Sequence, residues 1–192
     1  MSVNRPIWNF TLNIRTSRES DRAAIDDIHM SAFGQREGQE IVDLVNGLLE
    51  DKTAKPLLSL VAEIDEKIVG HILFTTARLK SENQGSSIRI LAPLAVSSDV
   101  QGQGIGDALT REGLKQLKES GVDLVFVLGH PRYYPRFGFQ PAGISGFEAP
   151  YTIPPEHADA WMVLELKTGI LAKNKGKIQC SEVLNQPQHW RE

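Results

Sequence analysis

Residues 97–121, SSDVQGQGIGDALTREGLKQLKESG, place three glycines, Gly102, Gly104 and Gly106, at alternate positions directly before a long amphipathic helical pattern. Backbone N–H groups at a helix N-terminus have no partner inside the helix, and such a terminus binds anions, most often phosphate. Glycine lets the backbone approach a ligand without an intervening Cβ, at an entropic cost for every glycine used. A bare strand-to-helix turn needs one such residue, so three favour a bound phosphate. A Walker A loop is excluded, because Asp107 stands where its second glycine is required and no Lys-Ser or Lys-Thr follows. A dinucleotide fingerprint is excluded too, because its third glycine is replaced by Asp107 or Leu109, depending on the register. What remains is the pattern Gln101-x-x-Gly104-x-Gly106.

Upstream of this turn, FTLNIR (10–15) alternates as a first strand. Apolar residues at helical spacing, Ala24, Ile25, Ile28 and Phe33, give a helix stopped by Gly34, and Ile41, Leu44, Val45, Leu48 and Leu49 give a second. LLSLVAEID and KIVGHILFTTARL flank Asp65-Glu66-Lys67 as an antiparallel hairpin. IRILAPLAV then runs as a strand into the glycine turn, with Pro93 marking a bulge or break because proline cannot donate to a ladder. The helix covers about 104–119 and ends at Gly121. VDLVFVLG (122–129) has the near-continuous apolar character of a strand buried on both faces. HPRYYPRFGF is expected to form a short helical turn leading to an edge element near Phe139. A proline-rich loop, a strand at 160–167 and a final strand in GKIQCSEVL complete the chain. The expected architecture is one domain over 1–192, core about 10–167, built on a mixed sheet flanked by helices.

The chain has 192 residues, 23% of them charged, and a formal net charge of −3, which gives no global attraction for nucleic acid or an anionic membrane. Cys180 is the sole cysteine, so neither a disulfide framework nor a cysteine-rich metal site exists, and no metal is expected. Its neighbours KIQCSEV offer no activating partner for a nucleophile. No stretch is apolar and long enough for a signal peptide or a membrane span, so a cytoplasmic location is expected.

Gln101-x-x-Gly104-x-Gly106, set between a strand and a helix and followed some thirty residues later by YYPRFGF, resembles the GNAT superfamily of acyl-CoA-dependent N-acetyltransferases. The resemblance spans about residues 10–167, and its specific part lies in LAPLAVSSDVQGQGIGDAL and VLGHPRYYPRFGF. It implies an α/β fold of mixed α+β type. Its central sheet is largely antiparallel and splays between the fourth and fifth strands to admit acetyl-CoA as co-substrate. It implies that Gln101, Gly102, Gln103, Gly104, Ile105 and Gly106 hold the coenzyme pyrophosphate. Leu94, Ala95 and Val96 would present their main chain to the pantetheine arm.

The same resemblance implies direct transfer of an acetyl group from the thioester to a primary amine of a small molecule or protein. That chemistry needs a neutral amine, a donor for the oxyanion and a proton for the departing thiolate. Tyr134, four residues before the glycine of Gly138-Phe139, takes the position of the family's general acid, with Tyr133 the better candidate for packing. The N–H of Val96 or its neighbour is the implied oxyanion donor. Glu37 and Glu40 between the first helices, Glu63 and His71 on the hairpin, and His130 after the fifth strand are the candidates for base or acceptor contacts. Many family members carry an asparagine after the fifth strand, where this chain has Gly129 and His130. The loop 149–157 is open to two placements, over the acceptor site or as ordinary surface. A non-catalytic acyl-CoA sensor, or a transferase of longer acyl groups, is the alternative, and Tyr134 favours catalysis because a sensor needs no proton donor. Neither a nucleic-acid nor a membrane partner is expected, and both monomer and homodimer are compatible with the sequence.

Overall fold

The alternating first segment folds as β1 (Leu12–Thr16) in the computed structural model, which describes residues 11–80 and 85–191. Phe10 and the irregular lead expected before it lie outside the described residues. α1 (Arg22–Glu50) carries both expected helices as one run broken at Gly34, where φ is 74° and ψ is 174°. A side chain resists that backbone geometry, and glycine accepts it. β2 (Leu58–Ile64) and β3 (Lys67–Leu79) form the hairpin, turning at Asp65 and Glu66 with positive φ. β4 (Ile88–Val96) leads through the glycine turn into α2 (Ile105–Glu119), which stops before Gly121 at φ 85°. β5 (Leu124–Leu128) is the apolar strand. A 3-10 turn at Tyr134–Phe137 precedes the short β6 (Gln140–Pro141), and β7 (Phe147–Glu148), β8 (Trp161–Glu165) and β9 (Gly176–Gln179) follow.

The main sheet runs β1-β2-β3-β4-β5-β8-β6, so β6 forms the expected edge. Every neighbouring pair along it is antiparallel except β4 with β5, which is parallel. A parallel pair needs a long crossover, and α2 supplies it. α2 lies on one face, where Ile105, Leu109, Leu114 and Leu117 pack with Phe74, Leu91, Val125 and Val127. The second half of α1 lies on the other, where Leu44 and Leu48 pack with Leu73, Ile90, Leu124 and Phe126. Successive residues of β5 thus feed opposite cores, which explains why its sequence is apolar without alternation.

One irregularity positions everything functional. The β4–β5 ladder ends at Leu91 with Val127, although β4 continues to Val96. The β3–β4 register also shifts there, between Ile72↔Leu94 and Phe74↔Leu91, so that Ala92 and Pro93 together face Leu73. That is the bulge that Pro93 predicted, because its missing N–H cannot serve a ladder. Beyond it the two parallel strands part.

Candidate functional site

A cleft of about 1240 Å³ opens where β4 leaves β5. It is lined by residues 94–96 of β4, residues 101–107 of the turn and first helical residues, and Gly129, His130, Tyr133 and Tyr134 beyond β5. All nine residues expected to face the cofactor therefore border one cavity.

Their parts differ. Ser97 N–H donates to Val69 C=O at 2.8 Å, so the bonded pairs of this antiparallel ladder are 69 with 97 and, two residues on, His71 with Ala95. Ala95 directs its N–H and C=O to β3. Leu94 and Val96 direct theirs into the opening, where a further extended chain would find them. Gln101 Nε2 donates to Val96 C=O at 3.0 Å, tying the turn to the strand.

At the turn, Gly102 has φ 74°, and Gly104, the residue capping α2, has φ 82° and ψ 9°. Both are glycines because the backbone is left-handed there. Gly106 has another reason: an added Cβ would lie 2.9 Å from the Tyr133 hydroxyl and 3.7 Å from Val96. The alternating triplet thus combines two glycines in left-handed backbone with one whose missing side chain makes room for Tyr133. The first bond inside α2 joins Ala108 N–H to Gly104 C=O at 3.0 Å, leaving the N–H groups of residues 105–107 without a helical acceptor. That terminus borders the cleft, and partial positive charge gathers on it.

Asp107 does not pair with Arg111, one helical turn further along α2. Asp107 faces Arg136 at 3.4 Å, and Arg111 lies over the Phe137 ring at 5.1 Å from its centroid. The Arg136 guanidinium also sits 4.6 Å above the Tyr133 ring. Tyr133 is held on one side by Gly106 and on the other by Arg136, with its hydroxyl buried beside Asp107 and Thr110. Burial pushes that phenol up to about 12.

Tyr134 is buried at 8% exposure, and its ring lies over Gly129, where an added Cβ would stand 2.4 Å from the ring edge. Any side chain at 129 would therefore displace Tyr134. Burial, and then the neighbouring Tyr133, raise the Tyr134 phenol well above its ordinary range.

Of the five residues considered for base or acceptor contacts, Glu37, Glu40 and His130 border the cleft. Glu63 does not: it receives Arg15 Nε at 2.8 Å and Asn13 at 3.1 Å, in a cluster with Asp21 on the β1–β2 edge. Arg15 holds the Glu63 carboxyl below its usual range. His71 does not line it either. It is fully buried, with Nδ1 2.9 Å from His29 Nε2 and Nε2 2.9 Å from Ser59 Oγ, and Ser59 is bonded to Ser17 at 2.6 Å. The loop 149–157 does not line the cleft, and its Tyr151 and Ile153 pack against the core instead. Cys180 is pushed up to about 12 by burial, which leaves it a protonated, unreactive thiol at neutral pH.

The buried histidine pair carries a pH dependence of stability. Burial depresses His29 to about 4, and burial together with His29 depresses His71 well below the usual range. Unfolded histidines titrate near 6.5. Between pH 6.5 and 4 the unfolded chain therefore takes up protons that the folded chain refuses, and stability falls on acidification. From His29 alone the expected loss between pH 7.5 and pH 4.5 is about 2–3 kcal/mol. Urea unfolding at the two pH values measures it, and a His29→Asn variant with the same slope as wild type would refute the assignment.

Sequence reasoning overlooked the last contributors. Gln188, His189, Trp190 and Arg191 also border the cleft, on the side of Glu37 and Glu40. Nothing in their spacing signals this, since they reach the site by a long excursion of the chain. No group of three or more potential metal ligands exists among the described residues, and no described helix is long and apolar enough to cross a membrane.

Comparison with known proteins agrees with this geometry. The profile described as "Acetyltransferase (GNAT) domain" matches residues 13–142. The chain is 44% identical to the Uncharacterized N-acetyltransferase YjhQ of Escherichia coli (strain K12), over 92% of this chain and 94% of the relative. Among solved structures, the GNAT family N-acetyltransferase YhbS from Escherichia coli in complex with CoA superposes with TM-score 0.82 at 29% identity, covering 96% of this chain and 97% of the other. A GNAT family acetyltransferase from Brucella melitensis in complex with acetyl-CoA superposes with TM-score 0.71 at 28% identity, covering 91% and 98%.

Proposed function

Because the chain belongs to the GNAT acetyltransferase family, we propose that it transfers an acetyl group from acetyl-CoA directly to a primary amine. The observation that carries this reading is the parting of β4 from β5 beside the free N-terminus of α2, in one cleft with Tyr134. The fit to the coenzyme is physical. A diphosphate suits the unpaired N–H groups of residues 105–107, and an extended pantetheine arm suits the main chain of Leu94 and Val96, which has no strand partner on that side. The two superposing structures that hold CoA and acetyl-CoA support the same choice.

Acetyl-CoA, when bound, supplies a thioester, an acyl donor that an amine attacks without a protein-bound intermediate. In this reading the N–H of Val96 or its neighbour donates to the oxygen of the reacting carbonyl. Tyr134, which borders the cleft, in the same reading hydrogen-bonds the departing sulfur and gives it a proton. Glu37, Glu40 and His130 border the same cleft and are the candidates for acceptor contacts. Incubating the purified chain with acetyl-CoA and a panel of primary amines is expected to release CoA thiol in step with acetylated amine. Binding without release across the panel would favour a sensor, and release only with longer acyl thioesters would favour a different donor.

A further inference from the structure

The residues after 180 lie beyond the segment matched by the family profile, yet they reach the cleft by a heavily fixed path. Glu182 N–H donates to Thr53 Oγ1 at 2.8 Å, and Val183 N–H to Asp51 Oδ2 at 3.0 Å, anchoring the arm at the end of α1. The Val183 side chain fills the space over Gly47, where a Cβ would lie 2.9 Å away. Tyr151 donates to Asn185 C=O at 3.1 Å. The Trp190 indole, 3% exposed, donates to Leu184 C=O at 2.9 Å and packs edge-on against Trp161 at 5.6 Å. An arm held at so many points is a wall of the cavity with a defined shape.

This wall and α1 together give that part of the cleft both apolar surface and negative charge. Phe33, Ile41 and Leu44 of α1, with Trp190, supply an apolar lining, and Glu37 and Glu40 supply negative charge. His189 is half-buried between them and the core. Two opposing influences act on its imidazole: burial lowers it, the larger effect, and the Glu40 carboxylate raises it. The remaining charged or titratable groups bordering this cavity are His130 and the tyrosines across the opening, Asp107 and Arg136 at the α2 end, and Arg191 on the arm itself.

We propose that the C-terminal arm completes the acceptor pocket, that the pocket takes a primary ammonium carried on an apolar body, and that Glu40 holds the ammonium while His189 accepts its proton. The proposal rests on the acetyl-CoA reading above. The proton balance is complete. His189 removes one proton from the ammonium and later yields it to water. The amine nitrogen then bonds to the acyl carbon as the carbon–sulfur bond breaks. The sulfur leaves with its electron pair and takes a proton from Tyr134, and the second nitrogen proton returns to the tyrosine oxygen through solvent.

The test uses the full chain, acetyl-CoA and two probes, phenethylamine and the hydroxyl-rich glucosamine, with CoA thiol release as readout. Phenethylamine is expected to show kcat/KM at least about tenfold above glucosamine, because only its body matches an apolar lining. Glu40→Gln is expected to raise KM for phenethylamine about tenfold with kcat little changed. His189→Gln is expected to lower kcat about 100-fold and to remove the acidic limb of its pH profile. Acetyl-CoA affinity is expected to match wild type in both variants. Wild-type kcat and KM in both variants would overturn the proposal, as would a coenzyme-binding protein that prefers glucosamine or turns over neither probe. Failure of the wild type to bind acetyl-CoA would instead overturn the reading beneath it.

Discussion

Gly104→Glu removes most of the stabilisation by acetyl-CoA while leaving the unliganded fold in place. At φ 82° and ψ 9° this residue caps α2 in a left-handed conformation, which costs a non-glycine residue about 1–2 kcal/mol. A domain of this kind tolerates that cost, and a carboxylate beside a helix N-terminus recovers part of it. The same carboxylate occupies the N–H groups of residues 105–107 and repels a diphosphate. A loss of at least about 100-fold in affinity follows, equivalent to about 2.7 kcal/mol. Acetyl-CoA at about 100 times its Kd stabilises the wild type by about 2.7 kcal/mol, a rise in Tm of about 5–10 °C for a chain of this size. Thermal unfolding with and without ligand is the measurement. The variant should rise by no more than about 1–2 °C with acetyl-CoA, and an equal rise in both proteins would place the diphosphate elsewhere.

Tyr134→Phe lowers kcat about 100-fold and leaves KM for acetyl-CoA near the wild-type value. The substitution removes one oxygen, while the ring keeps its seat on Gly129 and its edge contact with Phe139 at 5.6 Å. Positioned acids contribute about 10²–10⁴-fold, and the lower figure suits a phenol whose burial raises it above its ordinary range. Complete transfer from such a phenol to a thiolate, whose conjugate acid lies near 8.5, is uphill. In the proposed mechanism the hydroxyl would therefore act first as a hydrogen-bond donor to the sulfur as charge develops, and give up its proton late. Tyr133→Phe is the control. Its hydroxyl is buried against Gly106, beside Asp107 and Thr110, so removing it should leave kcat near the wild-type value. Steady-state kinetics on both variants decide the matter: equal losses, or a loss confined to Tyr133→Phe, would reassign the acid.

How far the sequence alone carried this account depended on whether a signal was local. Pro93 marked the bulge because a missing N–H has the same consequence in any ladder. The glycine turn marked the helix N-terminus for a similar reason, although Gly106 proved to be small for the sake of Tyr133, a residue almost thirty positions away. Gly34 marked a break in α1 through its own backbone. Residues whose roles come from tertiary partners were misread. His71 and Glu63 carry the chemistry of a base, but β3 turns His71 into the core against His29, and Arg15 claims Glu63. Asp107 bonds across to Arg136 in preference to the helical neighbour Arg111, because the Tyr133–Phe137 turn folds back over α2. Gly129 seats the Tyr134 ring, a contact visible only in three dimensions. His189 escaped notice for the same reason, since the chain returns to the cleft only after β9.

Isothermal titration of acetyl-CoA into the wild-type chain tests the central claim most directly. Saturable binding of one acetyl-CoA per chain, lost in Gly104→Glu, is the predicted result. A folded wild type that takes up no acetyl-CoA would contradict the account at its base and leave the α2 N-terminus to some other anion.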